Sequence, residues 1–244
     1  MFLVVNGVDA RNSGLVWGTC IQYGAYGTYI PCSIDATDTV TPYFADLSVI
    51  YAADDERTLA GTRIAGRGEP ATMDSVAVFA GARLGYPAGS PCLEPHGCAS
   101  EARAFSADRT QVVGTSRVPA EGPFGSPETP LFDTAWRYDA TTGMVRLPDL
   151  AGGEAASGAL ALSGDGRVIG GFGTDTEGVR AVLWLAGEPR TLEQVVANAG
   201  GHVPEGWQLR EVTAMTPDAR VITGNARNAH GQPEAFRIVL PCAP

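Results

Sequence analysis

The chain has 244 residues, 27 acidic and 17 basic, with a net charge of −10 at pH 7 and charged residues at only 18%. A chain of this length can bury a full core in one domain, and all-β domains often run this long without splitting. The acid excess, with no Lys- or Arg-rich stretch, argues against a nucleic-acid partner, and no apolar run reaches the roughly 18 residues of a membrane helix.

The abundance of Gly (31) and Pro (17) favours turns over long helices. In chain order, the first element is an apolar strand, Phe2-Leu3-Val4-Val5, directly after Met1. No basic segment or long apolar stretch marks a signal peptide there, so a secreted chain has had its leader removed or its start misplaced. Asn12 follows in a turn, with Gly18 six residues later. Cys20 and Cys32 then bracket Tyr23, Tyr26 and Tyr29, spaced by glycines. This spacing predicts a hairpin closed by a Cys20–Cys32 disulfide, on the premise that facing strand partners meet bridge geometry.

The second unit carries Asp55, within Asp54-Asp55-Glu56, and Gly61. A second short-range cysteine pair, Cys92 and Cys98, encloses His96 and reads as a disulfide rather than zinc, because a zinc site needs about four closely paired ligands. Cys242 is left odd. Nearby cysteine pairs in a Gly-rich chain point to an oxidising compartment, hence a secreted or cell-surface location. Next come Asp108 with Gly114, Asp165 with Gly171, and Asp218 with Gly224. Between the last two units, Thr191 and Gln194 form a capping-box pattern and Gly200 a stop, predicting a short helix near 191–199.

Taken alone, Ser163-Gly164-Asp165-Gly166 resembles a phosphate loop. Five recurrences at about 50 residues, with no Lys-Ser/Thr pair, make it a structural turn instead. In every copy the Asp or Asn precedes a glycine by six residues, and an aromatic-bearing strand follows. The glycine either admits a neighbouring backbone or takes a positive φ. Units of this length, each with three or four short antiparallel strands, predict an all-β propeller of about five blades in one domain. The repeats fall near 1–46, 47–100, 101–155, 156–208 and 209–244. The N-terminal strand is expected to complete the last blade, or to pair directly against its edge at Phe236–Leu240; Cys242 would then lie near the N-terminal blade, where a bridge to Cys20 or Cys32 becomes possible.

The stretch from Ala161 to Trp184, with Thr191 to Gly224 after it, resembles the bacterial extracellular HAF repeats. The similarity covers roughly residues 101–240, although Glu234-Ala235-Phe236 and Thr134-Ala135-Trp136 lack the family's His. The resemblance implies secreted or surface proteins and carries no catalytic residue. Ala10-x-Asn12-x-Gly14-x-x-Trp17 is also similar to the Asp-box turn of sialidase-type propellers, itself a structural turn.

His96, His202 and His230 read as solvated loop residues, and no Gly-x-Ser-x-Gly elbow supports a catalytic triad. Asp54-Asp55-Glu56 could serve paired-carboxylate chemistry or hold calcium, but its place in the repeat makes it a turn. No metal and no cofactor is expected. Tyr23 and Tyr26 are the best binding signal, since exposed Tyr on a stiff loop suits a sugar face or a protein; incidental exposure is the alternative. The reading is a non-catalytic binding or scaffold module for a protein or carbohydrate ligand. The rival is an extracellular glycoside hydrolase, or another hydrolase, at the channel mouth.

Overall fold

The computed structural model describes residues 2–8, 16–22, 28–34, 40–42, 49–53, 59–65, 74–80, 82–85, 99–119 and 131–244, with side chains at 60–62, 77–80, 82–84, 99–117 and 132–244. The chain forms two compact units, Met1–Tyr86 with Cys92–Arg103, and Pro87–Pro91 with Ala104–Pro244. Described secondary structure is antiparallel strands, apart from one helix and one parallel bridge between Ser75 and Ala99.

In the first unit, β1 (Phe2–Val8), β2 (Val16–Gln22), β3 (Thr28–Ile34) and β4 (Val40–Pro42) pair in that order. A second meander follows in β5 (Val49–Ala53), β6 (Leu59–Ala65), β7 (Asp74–Phe79) and β8 (Ala82–Gly85). β5 lies against β1, β2 and β3. The N-terminal strand is therefore the first strand of its own sheet. β1 pairs with β2 from Phe2 to Val8.

β9 (Ala99–Phe105) carries the chain into the second unit. There β10 (Gln111–Pro119), β11 (Leu131–Asp139) and β12 (Gly143–Arg146) form the third meander. The fourth is β13 (Gly152–Leu162), β14 (Val168–Asp175), β15 (Gly178–Leu185) and β16 (Glu188–Thr191). After helix α1 (Leu192–Asn198), a sheet of three strands closes the series: β17 (Gln208–Met215), β18 (Val221–Arg227) and β19 (Pro233–Val239).

Within this unit each first strand packs on the preceding sheet: β13 against β10 and β11, and β17 against β13, β14 and β15. Val113, Ala135, Ala159, Ile169 and Trp184 are buried in one core. Leu183, Leu192, Val212, Ile222 and Leu240 are buried in the next. Covering on both faces explains why Val168-Ile-Gly-Gly171 is buried at every position rather than alternating. Each large side chain removed from water there contributes about 1.5–3 kcal/mol.

The first-to-second-strand turn is built alike in three sheets. In the fourth, Ser163 Oγ donates to Asp165 Oδ1 (2.7 Å), Arg167 N–H donates to the same oxygen (3.1 Å), and Val168 N–H donates to Ser163 Oγ (2.9 Å). The third repeats this with Ser106, Asp108, Thr110 and Gln111 at 2.6, 3.1 and 3.0 Å. The fifth uses Thr216, Asp218, Arg220 and Val221 at 2.5, 3.1 and 3.0 Å. Each carboxylate is thus bound to a hydroxyl and a backbone amide. These bonds, the hydroxyl's first, hold Asp108, Asp165 and Asp218 below the usual carboxylate range. The next residue is left-handed in every copy: Arg109 (φ 62°), Gly166 (φ 74°) and Ala219 (φ 55°). Successive turns also touch, with Ala107 N–H donating to Gly164 O (2.9 Å) and Gly164 N–H to Pro217 O (2.8 Å). Pro217 has no N–H, so the run ends there. The Asn12 and Asp55 turns lie outside the described residues, although their flanking strands, β1/β2 and β5/β6, are paired hairpins.

The glycine six residues on sits mid-strand. Gly18, Gly61, Gly171 and Gly224 face Val5, Ile50, Ala159 and Val212, and in each case a β-bulge follows that partner. A Cβ on Gly171 would lie 1.8 Å from Gly158 O, and one on Gly224 would lie 1.9 Å from Glu211 O. Close approach of the bulged strand, rather than positive φ, is what requires glycine.

Register also places the aromatics of the third strands. The residues facing the repeat glycines from the third strand are Cys32, Val78, Trp136, Val182 and Phe236. Trp184 stands two residues beyond Val182 and Phe79 one beyond Val78, so the aromatics are not equivalent. Trp184 Nε1–H donates to Pro148 O (2.7 Å). The buried Trp136 Nε1–H has no partner among the described residues.

Helix α1 follows its predicted cap. Thr191 Oγ1 accepts from Gln194 N–H, and Gln194 Oε1 accepts from Thr191 N–H. Leu192, Val195 and Val196 face the core, and Gly200 ends the helix at φ 80°.

Candidate functional site

A cavity of about 550 Å³ opens beside the fourth sheet, between the β15–β16 turn, α1 and the segment after β19. Leu185, Val195 and Leu240 supply apolar lining, Glu188 and Arg190 charged lining, and the exposed Cys242 a free thiol. The local sequence places them simply. Ala186 (φ 50°) and Gly187 (φ 87°) form the tight turn that aims β16 back along β15. Four residues after Gly187, the Thr191 cap turns the chain into α1, whose Val195 faces inward. Leu240 is held by Leu240 N–H donating to Arg220 O (2.8 Å). Neither Glu188 nor Arg190 has an ion-pair partner among the described residues, so both are available to a ligand.

A second cluster gathers on Arg180, which is only 17% exposed. Its Nε–H donates to Asp175 Oδ2 (3.2 Å), Nη2–H donates to Glu177 Oε2, and Nη1 lies 3.8 Å from Glu193 Oε1. Glu193 Oε1 accepts from Leu209 N–H (3.1 Å), while the buried Oε2 has no partner among the described residues. Burial pushes the Glu193 carboxyl above its ordinary range, against the opposing pull of Arg180. One guanidinium shared by three carboxylates leaves the cluster acidic.

Asp108, Asp165 and Asp218 are engaged in turns, and Gly114, Gly171 and Gly224 lie in strands. His202 and His230 are exposed on separate loops, and His230 N–H donates to Asn228 Oδ1 (2.9 Å). Tyr23, Tyr26, Cys92, His96, Cys98 and the Asp54–Glu56 group lie outside the described residues. Cys20 and Cys32 flank one hairpin, but Cys20 faces Ile30 and Cys32 faces Gly18. They are diagonal neighbours rather than facing partners, which corrects the geometry expected for the pair; diagonal neighbours lie roughly 7–8 Å apart. Their sulfur atoms are not among the described atoms.

The sequence reading missed the cavity and the Arg180 cluster. Glu193 in the first turn of a capped helix, and Asp175, Glu177 and Arg180 around one hairpin, were visible. Nothing in sequence placed the two groups together.

No family model matches the chain, and no curated protein matches it. Among solved structures it is similar to Kuenenia stuttgartiensis hydrazine synthase at 12% identity, over 95% of this chain and 70% of that one, with a TM-score of 0.46. It is also similar to TolB from Acinetobacter baumannii at 12% identity and a TM-score of 0.46, over 94% of this chain and 52% of TolB, so it spans about half of that protein's length.

Proposed function

We propose that this chain is a five-repeat, propeller-like protein of the cell exterior that binds a protein or carbohydrate partner and performs no chemistry itself. Five successive antiparallel meanders support the architecture, and the short-range cysteine pairs support the location. The observation that carries the binding role is the cavity of about 550 Å³, whose apolar lining includes Leu185, Val195 and Leu240 beside Glu188 and Arg190, which have no ion-pair partner among the described residues. A mostly apolar concavity with a few placed polar groups is the usual form of a binding site. Ligand-observed NMR with a panel of small amphipathic fragments and short oligosaccharides tests it. Ala199→Trp, which fills the cavity from an exposed position, should abolish the hits; hits that survive the substitution would remove the cavity from the proposal.

The rival hydrolase reading has one specific support. Burial raises the Glu193 carboxyl, as a general acid requires, and Asp175 is bound to the same arginine as a neighbouring carboxylate. A chromogenic glycoside screen decides it, since turnover lost in Glu193→Gln would favour the enzyme.

A further inference from the structure

We propose that the fifth sheet takes up a fourth strand from another protein: an extended segment pairing antiparallel with Phe236–Val239 and setting a carboxylate opposite Arg237, between two apolar residues.

The slot is defined by the sheets before it. β11 carries β12 over Trp136–Asp139, and β15 carries β16 over Val182–Leu185. Second-strand register makes Phe236–Val239 their equivalent, since Gln111 faces Asp139, Val168 faces Leu185, and Val221 faces Val239. Among the described residues the fifth sheet ends at β19.

The edge is chemically open. Asn228 N–H donates to Gln232 O (3.0 Å) at one end of the ladder and Leu240 N–H to Arg220 O (2.8 Å) at the other. Bonded and non-bonded pairs alternate between them, so Ala235, Arg237 and Val239 turn their N–H and C=O groups away from β18. The equivalent Leu183 and Leu185 face Arg190 and Glu188 of β16. The turn that forms β16 is closed to residues 240 and 241. Ala186 and Gly187 both take positive φ there, whereas their equivalents are Leu240, buried and bonded to Arg220, and Pro241, whose ring holds φ near −65°.

The existing fourth strands indicate what fits. Met144, 7% exposed, faces Tyr138, and Pro189 faces Trp184. The incoming strand therefore sets an apolar residue opposite Ile238 and, on the same face, another opposite Phe236. Both of those side chains already pack against the core. Arg237 is exposed and has no ion-pair partner among the described residues, so charge complementarity selects an acid opposite it. Val239, at 53% exposure, gains cover beside it. Strand addition of this kind derives affinity from main-chain bonds and specificity from alternate side chains. The N-terminal end of the added strand reaches Leu240, a cavity residue, so the inference rests on the binding reading and names its partner class.

The probe is the acetylated, amidated hexapeptide Gly-Thr-Val-Glu-Val-Thr, added to the full chain. Amide hydrogen exchange at Ala235, Arg237 and Val239 should slow at least tenfold. Arg237→Pro removes an outward N–H without touching the β18 ladder, and it should abolish that protection while leaving the cavity's fragment hits. Ala199→Trp should do the opposite, so failure of strand addition is distinguishable from failure of the cavity. Arg237→Glu, which leaves the backbone intact, should invert preference toward the peptide with Lys in place of Glu. Unchanged exchange, equal protection in Arg237→Pro, or indifference to the peptide's charge would overturn the proposal. So would self-association of the unliganded protein that Arg237→Glu abolishes, since a second copy would then occupy the edge.

Discussion

The fourth and fifth sheets share their inner half and differ in their outer half. Each opens with the same hydroxyl–carboxylate turn, then a bulge opposite a glycine, then a third strand whose alanine, Ala181 or Ala235, precedes the residue facing that glycine. Beyond that point they diverge. Leu185-Ala186-Gly187 turns the fourth sheet back into β16, whereas Val239-Leu240-Pro241 cannot make that turn. The conserved physics of the repeat is thus confined to the first three strands, where sheets pack on one another. The outer strand is free to vary because only its own sheet depends on it.

The largest effects should test that shared inner half. Gly171→Ala and Gly224→Ala each drive a methyl to within 2 Å of a carbonyl oxygen. Each should cost about 3 kcal/mol, the upper range for overpacking, read as a fall in the urea midpoint. Equal losses would show that the two inner halves are interchangeable; a loss confined to the fourth sheet would break the comparison.

The tryptophans sharpen it between the third and fourth sheets. Trp184→Phe removes the bond to Pro148 O and should cost about 1–2 kcal/mol. Trp136→Phe removes a buried N–H without a described partner and should be near neutral by the same measure. Similar costs at both sites would mean that ring volume, not the hydrogen bond, sets the difference.

The turns should respond more weakly. Gly166→Ala puts a side chain into the left-handed region and should cost about 1 kcal/mol. Ala219→Gly relieves that strain but uncovers about one buried methyl of the core, so the opposing effects should cancel to within roughly 0.5 kcal/mol. Thermal melts of both variants check the contrast.

The smallest effect concerns acid. Asp165 and Asp218 are lowered in the folded state, so they add stability that is present above the ordinary carboxylate pKa and lost as pH falls below about 4. Asp165→Asn should flatten the acid arm of the stability curve, and Asp218→Asn should do so alike. Glu193 has the opposite sign. Its raised carboxyl costs stability as pH climbs through the carboxylate range, so Glu193→Gln should gain most near neutrality. A pH series of urea midpoints reads all three.

Local chemistry was legible. The Ser/Thr-x-Asp turns and the Thr191–Gln194 cap each satisfy themselves within five residues of chain, so residue type and spacing sufficed to find them. Facts that depend on a partner strand were harder to read. Each third strand carries an aromatic, but only register shows that Trp184 stands two residues beyond the position facing its glycine. Cys20 and Cys32 looked like facing partners because they bracket a loop, yet register sets them diagonally. The cavity escaped altogether, since its lining comes from residues 185–199 and from 240 onward.

By itself, the sequence determined the repeat length, the turn chemistry, the helix and the all-β class, because these follow from backbone hydrogen bonds closed between near neighbours. Only the tertiary structure decided why the repeat glycine must be glycine, which sheet β1 joins, where a cavity opens and which strand ends the described part of the fifth sheet. Each of those depends on how closely two distant backbones approach. That distance is set by bulges and by packing between sheets, neither of which leaves a periodic mark in the chain.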